Sequence, residues 1–224
     1  MRKNQTLAAK KAARFVSHPE DIVLSHRAYN LLIGGITAYG LIINFIICRF
    51  FSHIFMQIHR PSLYGIYAVL AITGVLIVNF SHKPAISFLG YNMIVLPLGA
   101  VLSTIVATIH PLIIFQTCGL TASVTVIMLC LSILFPQFFL RIGRVLLISL
   151  ISLIVIGLFS MISGMHLSFY SYLSAGIFSL YIGYDWARAN SYTHTLNNAV
   201  EAACELYLDI ANLFLDILAI VTDN

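Results

Sequence analysis

Runs of about 20 apolar residues, separated by short polar or proline-bearing stretches, recur along almost the whole chain. An α-helix rises 1.5 Å per residue, so each run matches the hydrocarbon thickness of a bilayer. Lipid offers backbone groups no water to bond, which leaves helices or closed barrels as spanning structures. The runs lack the strict alternation of barrel strands, so helices are predicted. The composition agrees: 60% hydrophobic and 9% charged over 224 residues, with a mean hydropathy of +0.95, lies far from the balance of a water-soluble domain. The expected class is an all-α integral membrane protein.

Seven spans are predicted, at about 29–51, 63–80, 86–108, 112–135, 145–163, 169–184 and 199–221. The breaks read "SHIFMQIHRPS", "SHKP", "IHP", "PQFFLRIGR", "SGMHLS" and "DWARANSYTHTLNN", rich in residues that end helices. One seven-helix domain, 29–221, thus lies between a basic segment, 1–28, and a short tail, 222–224. With the N-terminus inside, the inner side holds Arg2, Lys3, Lys10, Lys11, Arg14, Arg27, Lys83, Arg141, Arg144 and Arg188, against Arg49 and Arg60 outside. This imbalance sets the expected orientation. The first segment has no apolar stretch of signal-peptide type, and reads either as a solvated tail enforcing topology or as a short amphipathic helix on an anionic surface. Pro97, inside the third span, bends its helix near Gly99, as a hinge or as a static kink.

The acids are distributed unevenly. After Glu20 and Asp21 none occurs until Asp185, and then come Glu201, Glu205, Asp209, Asp216 and Asp223. Glu205, Asp209, Asn212 and Asp216 are spaced four, three and four apart, which puts them on one helical face with Glu201 a turn earlier. The opposite surface, with Leu206, Ile210, Leu213 and Ile217, is left for lipid or other helices. A single Asp at the centre of a spanning helix costs about 2.5–3.5 kcal/mol, so the stripe should face the bundle interior or a water-filled cavity. Neighbouring acids there titrate as a coupled pair, and their deprotonation creates oxygen ligands for a hard cation. Asp209 is the central candidate. Asp216 lies near the outer interface, Glu201 and Glu205 near a wetted inner end, and Asp185 at the end of the sixth span, able to approach Asp209 if the last two helices pack.

Other chemistry is poorly represented. Cys48, Cys118, Cys130 and Cys204 sit singly in apolar runs and read as small hydrophobes. His18, His26, His53, His59, His82, His110, His166 and His194 fall mostly in the tail or loops and lack metalloprotease spacing, although His82 and His194 offer pH sensitivity on the inner side. Ser163 and His166 have no nucleophile elbow around them. No cofactor motif is found, so an enzyme is not expected; nor is a nucleic-acid partner, because the net charge of +4 comes largely from the tail and loops.

The segments "FSLYIGYD" (178–185) and "LYLDIANLFLDIL" (206–218) resemble the last two membrane segments of the Bax inhibitor-1, or transmembrane Bax-inhibitor-motif, family. The likeness is strong over the last 50 or so residues, and upstream is confined to the seven-span plan and the glycine-containing third span. The resemblance implies that Asp185 and Asp209 are the family's paired aspartates, a pH-sensitive couple closing a passage, and that the chain is a pH-dependent calcium leak. Calcium would then be cargo meeting Asp185 and Asp209, with Asp216, Glu205 and Asn212 along the path. Bacterial relatives place an arginine near the inner end of the second span; here "NFSHKP" offers His82 or Lys83, neither with arginine's planar fork. Many relatives have a polar, glutamine-containing stretch after the first aspartate, where this chain reads "DWARA". The other function in view is a membrane interaction protein that modulates a membrane protease or stress-response partner. The expected site of action is the bilayer of a bacterial cytoplasmic membrane.

Overall fold

The computed structural model describes residues 14–16, 21–163 and 169–222. The expectations for Glu20, Asp223, His18, His166 and the basic residues at 2, 3, 10 and 11 lie outside them. Among the described residues there are seven long helices: α1 (His26–Phe55), α2 (Arg60–Phe80), α3 (Pro84–Val106), α4 (Pro111–Leu134), α5 (Pro136–Ser163), α6 (Phe169–Asn190) and α7 (Leu196–Thr222). The helices α1 to α5 are long and apolar enough to cross a membrane. Proline opens or nearly opens α2, α3, α4 and α5, where its missing N–H is harmless and its fixed φ suits the first turn.

Two expected boundaries are corrected. "PQFFLRIGR" is the beginning of α5 rather than a loop, and Arg141 and Arg144 are exposed on that helix. The sixth helix likewise continues through Asp185 to Asn190, because "DWARA" has good helix formers and no proline or glycine. The first helix extends to Phe55 through a π-helical turn at Ile47–Phe51. Pro97 lies within a continuous α3.

The chain divides into two compact units. The first comprises Met1–Ile109 and Ala189–Tyr207, with α3 and the start of α7 at its centre. Tyr91, Ile94 and Val95 of α3 are fully buried, as are Ala203 and Tyr207 of α7. Tyr91 meets Tyr207 edge to face at 5.4 Å, and its hydroxyl donates to the Ile36 carbonyl at 2.9 Å. Gly40 makes room for the Tyr91 hydroxyl. Polar side chains fasten α7 to its neighbours in this unit: Asn44 Nδ2 donates to the Tyr207 hydroxyl at 2.6 Å, Thr37 to the Ala203 carbonyl at 3.3 Å, and Ser87 to Asn197 Oδ1 at 2.7 Å. The strand-like approach to α1 pairs with the α6–α7 connection through a bridge between Val23 and Thr195.

The second unit comprises His110–Arg188 and Leu208–Asn224. Phe139, Leu146 and Leu153, seven apart on α5, are each 2% exposed and form its inward stripe. Most other large side chains of α5, among them Val145, Ile148, Ile151, Val155 and Phe159, are more than half exposed. An outward surface of that kind belongs in hydrocarbon. Cys204 is buried among apolar neighbours, whereas Cys48 is half-buried and Cys118 and Cys130 are exposed on the apolar helix α4.

The acidic helix is more enclosed than its amphipathic pattern predicts. Leu206, Leu213, Ile217 and Leu218 are buried along with Glu201 and Asp209, so the apolar side meets other helices rather than lipid.

Candidate functional site

A short connection between α6 and α7 makes them antiparallel neighbours, and Ser174 Oγ donates to Asp216 Oδ2 across them at 2.6 Å. Seven residues from that bond, about 10 Å along each axis, stand Tyr181 on α6 and Asp209 on α7. Asp185 lies one turn beyond Tyr181, and Tyr181 is within electrostatic range of both carboxylates. Asp185 is 4% exposed and Asp209 6%. The second unit therefore holds two enclosed acids on adjacent helices around one tyrosine.

The local sequence explains how α6 accommodates them. Gly183 lets the Phe139 ring lie directly against the backbone, and its carbonyl accepts the Ser132 hydroxyl at 2.6 Å. Gly143 of α5 in turn leaves space for the Tyr184 ring. Arg188 stacks over that ring at 4.9 Å and places Nη2 2.8 Å from Asp185 Oδ1, an i,i+3 pair on one helical face. Asp185 thus has a planar cation from its own helix. Asn212 donates back to the Leu208 carbonyl at 2.8 Å. Among the described residues no group of three or more His, Cys, Asp or Glu is arranged to hold a metal ion.

The remaining predicted residues belong to the first unit. His82 and Lys83 are exposed on the α2–α3 connection, and Glu205 is half-buried. Glu201, expected at a wetted helix end, is 2% exposed. Its Oε2 meets Arg14 Nε at 2.7 Å, while Asn197 Nδ2 donates to Oε1 at 3.1 Å. Arg14 also reaches Glu205 Oε1 at 3.4 Å, Asn79 Oδ1 at 3.3 Å and the Tyr192 hydroxyl at 3.4 Å. Burial works against the charge of Arg14, and Glu205 and Glu201 outweigh it, holding the guanidinium's pKa above its ordinary value. From the sequence, Arg14 reads as a topological charge or as part of an amphipathic surface helix, not as the partner of buried acids. Its one distinguishing signal is an arginine set among apolar residues, "AARFV", beyond the lysines. Arg188 was legible from its i,i+3 spacing once helix was extended through "DWARA".

Described residues that are almost wholly helical, five helices long and apolar enough to cross a membrane, and buried acids at Asp185, Glu201 and Asp209 on the last two helices define a polytopic membrane protein. Residues 22–224 match the family model Bax1-I, described as inhibitor of apoptosis-promoting Bax1, and the chain belongs to that family. No curated protein matches the chain.

Proposed function

We propose that this protein is a pH-sensitive, calcium-permeable leak channel in which Asp185 and Asp209 sense protons. All seven helices span the membrane in this reading, with the N-terminus inside, an orientation that the imbalance of Lys and Arg between the two sides supports. The observation that carries it is the enclosure of the two acids at 4% and 6% exposure on adjacent helices around Tyr181, in a member of the Bax1-I family.

Enclosure disfavours two simultaneous negative charges, so the couple retains a proton that also holds the helices together. Loss of that proton leaves two carboxylates to separate or to recruit a cation. Calcium takes six to eight oxygen ligands, so two carboxylates suit a passing ion better than a resident one. Asp216, held by Ser174, extends the polar path along α7. Arg188 supplies beside Asp185 the charge that His82 or Lys83 was expected to provide. The site of action is a bacterial cytoplasmic membrane, and the role is transport rather than catalysis.

The test is calcium flux into liposomes containing the purified protein, from about pH 5 to about pH 8, for wild type, Asp185→Asn and Asp209→Asn. Flux that depends on pH in the wild type and loses that dependence in both variants is expected. Unchanged flux in both variants sinks the sensor assignment. Absence of wild-type flux at every pH favours the protein that modulates a membrane protease or stress-response partner.

A further inference from the structure

The ion pair between Arg14 and Glu201 joins distant parts of the sequence: Arg14 and the neighbouring acid Glu205 are 191 residues apart. The side chain of Arg14 is 6% exposed and reaches partners on α2, on the α6–α7 connection and on two successive turns of α7. Its carbonyl accepts the Thr193 N–H at 3.0 Å and the Asn198 amide at 3.1 Å. Phe15 meets Tyr192 edge to face, yet Phe15 and Val16 are each 59% exposed. The described segment is therefore held mainly by one polar key rather than by apolar burial.

Such an attachment suits reversible docking. A buried ion pair adds little net stability compared with apolar packing, but separating its partners is expensive as long as either stays enclosed. Segments with little buried apolar surface open locally at less than the free energy of global unfolding. Undocking of Arg14 and rearrangement of α7 are thus coupled, because the enclosed carboxylate of Glu201 loses the guanidinium 2.7 Å away when Arg14 leaves.

We propose that Arg14 is an intramolecular latch, seated on Glu201 and Glu205 so as to hold the first turns of α7 in place. The helix carries Asp209 two turns beyond Glu201, so release of its first turns permits the movement on which opening depends. This regulatory role rests on the channel reading; the docking itself does not.

Two measurements on the full-length protein separate these claims. Trypsin cleaves after an arginine only when the side chain can enter its pocket. Limited digestion of the protein in lipid nanodiscs, read by mass spectrometry for a new terminus at Phe15, should show protection in wild type and several-fold faster cleavage in Glu201→Gln/Glu205→Gln. The second measurement is calcium flux into liposomes, in which Arg14→Gln should conduct several-fold faster than wild type and Arg14→Lys should lie between. Circular dichroism and a monodisperse elution profile establish that each variant is folded, and Arg14→Lys keeps the test open if Arg14→Gln is not. Wild-type cleavage at Phe15 as fast as in the double variant overturns the docking. Protection of Arg14 with equal flux from wild type and Arg14→Gln overturns the latch while leaving the channel intact. Absence of flux from every protein refutes the channel reading and the gating role with it, while the digestion still decides whether Arg14 is docked.

Discussion

Replacing Gly74 with alanine tests the helix packing of the first unit against a control on the same helix. A Cβ at Gly74 would stand 2.5 Å from the Gly90 carbonyl oxygen, 2.8 Å from Ile94 Cγ1 and 3.3 Å from Met93 Cβ. Ordinary contact begins at 3.4 Å, so the nearest approach is short by about 0.9 Å, and its partner is backbone that no rotamer change can remove. Helices α2 and α3 must separate, with an overpacking penalty of about 1–3 kcal/mol. Against this, alanine inside a helix is favoured over glycine by about 0.5–1 kcal/mol. Gly65, also on α2, has nothing within 4 Å of its virtual Cβ and receives the propensity gain without the clash. The difference between Gly74→Ala and Gly65→Ala therefore isolates the packing penalty. At about 2–4 °C per kcal/mol for a chain of this size, the Gly74 variant should lose its helical circular dichroism signal about 2–12 °C below the Gly65 variant. If Gly74→Ala melts at or above Gly65→Ala in the same detergent, the close crossing of α2 and α3 is refuted.

Three further outcomes follow from named contacts. Arg14→Gln should destabilise the protein by about 3–5 kcal/mol because it leaves Glu201 enclosed without its cation, and a double-mutant cycle with Glu201→Gln should recover much of that loss; additive effects would deny the pairing. Arg188→Gln removes the cation 2.8 Å from Asp185, which favours retention of the proton, so the midpoint of the pH response of calcium flux should move to higher pH; an unchanged or lower midpoint contradicts the role given to Arg188. Ser174→Ala deletes the 2.6 Å donor to Asp216 and should lower stability by about 1–3 kcal/mol in a denaturant titration, whereas a loss below about 0.5 kcal/mol would show that the bond adds nothing across α6 and α7.

The site was partly legible because two of its properties are local. The absence of acids from 22 to 184, followed by their recurrence on one helical face, isolates Asp185, Asp209 and Asp216 from the sequence alone. Helical spacing also gives the pairing of Asp185 with Arg188, provided that the sixth helix is carried past Asp185. The expected loop at 185–198 concealed this, since charged residues read as a membrane boundary whether or not the helix stops there. For the same reason "PQFFLRIGR" read as a loop although proline, at a first turn, was starting a helix. Hydropathy marks where a helix leaves lipid, while hydrogen bonding and backbone sterics decide where it ends.

By itself, the sequence determined the all-helical class, the succession of apolar helices and the restriction of acids to the last part of the chain, because these depend on composition and on the period of 3.6 residues. The tertiary structure decided which faces of those helices are enclosed and which partners meet. It buried α7 on sides that its pattern left open to lipid, set Gly74 against Gly90, and brought Arg14 to acids 187 and 191 positions away. Partners at that separation leave no periodic trace in one sequence. Their meeting depends on side-chain packing and on the need of a buried charge for a counter-charge, and both are fixed only when the helices come together.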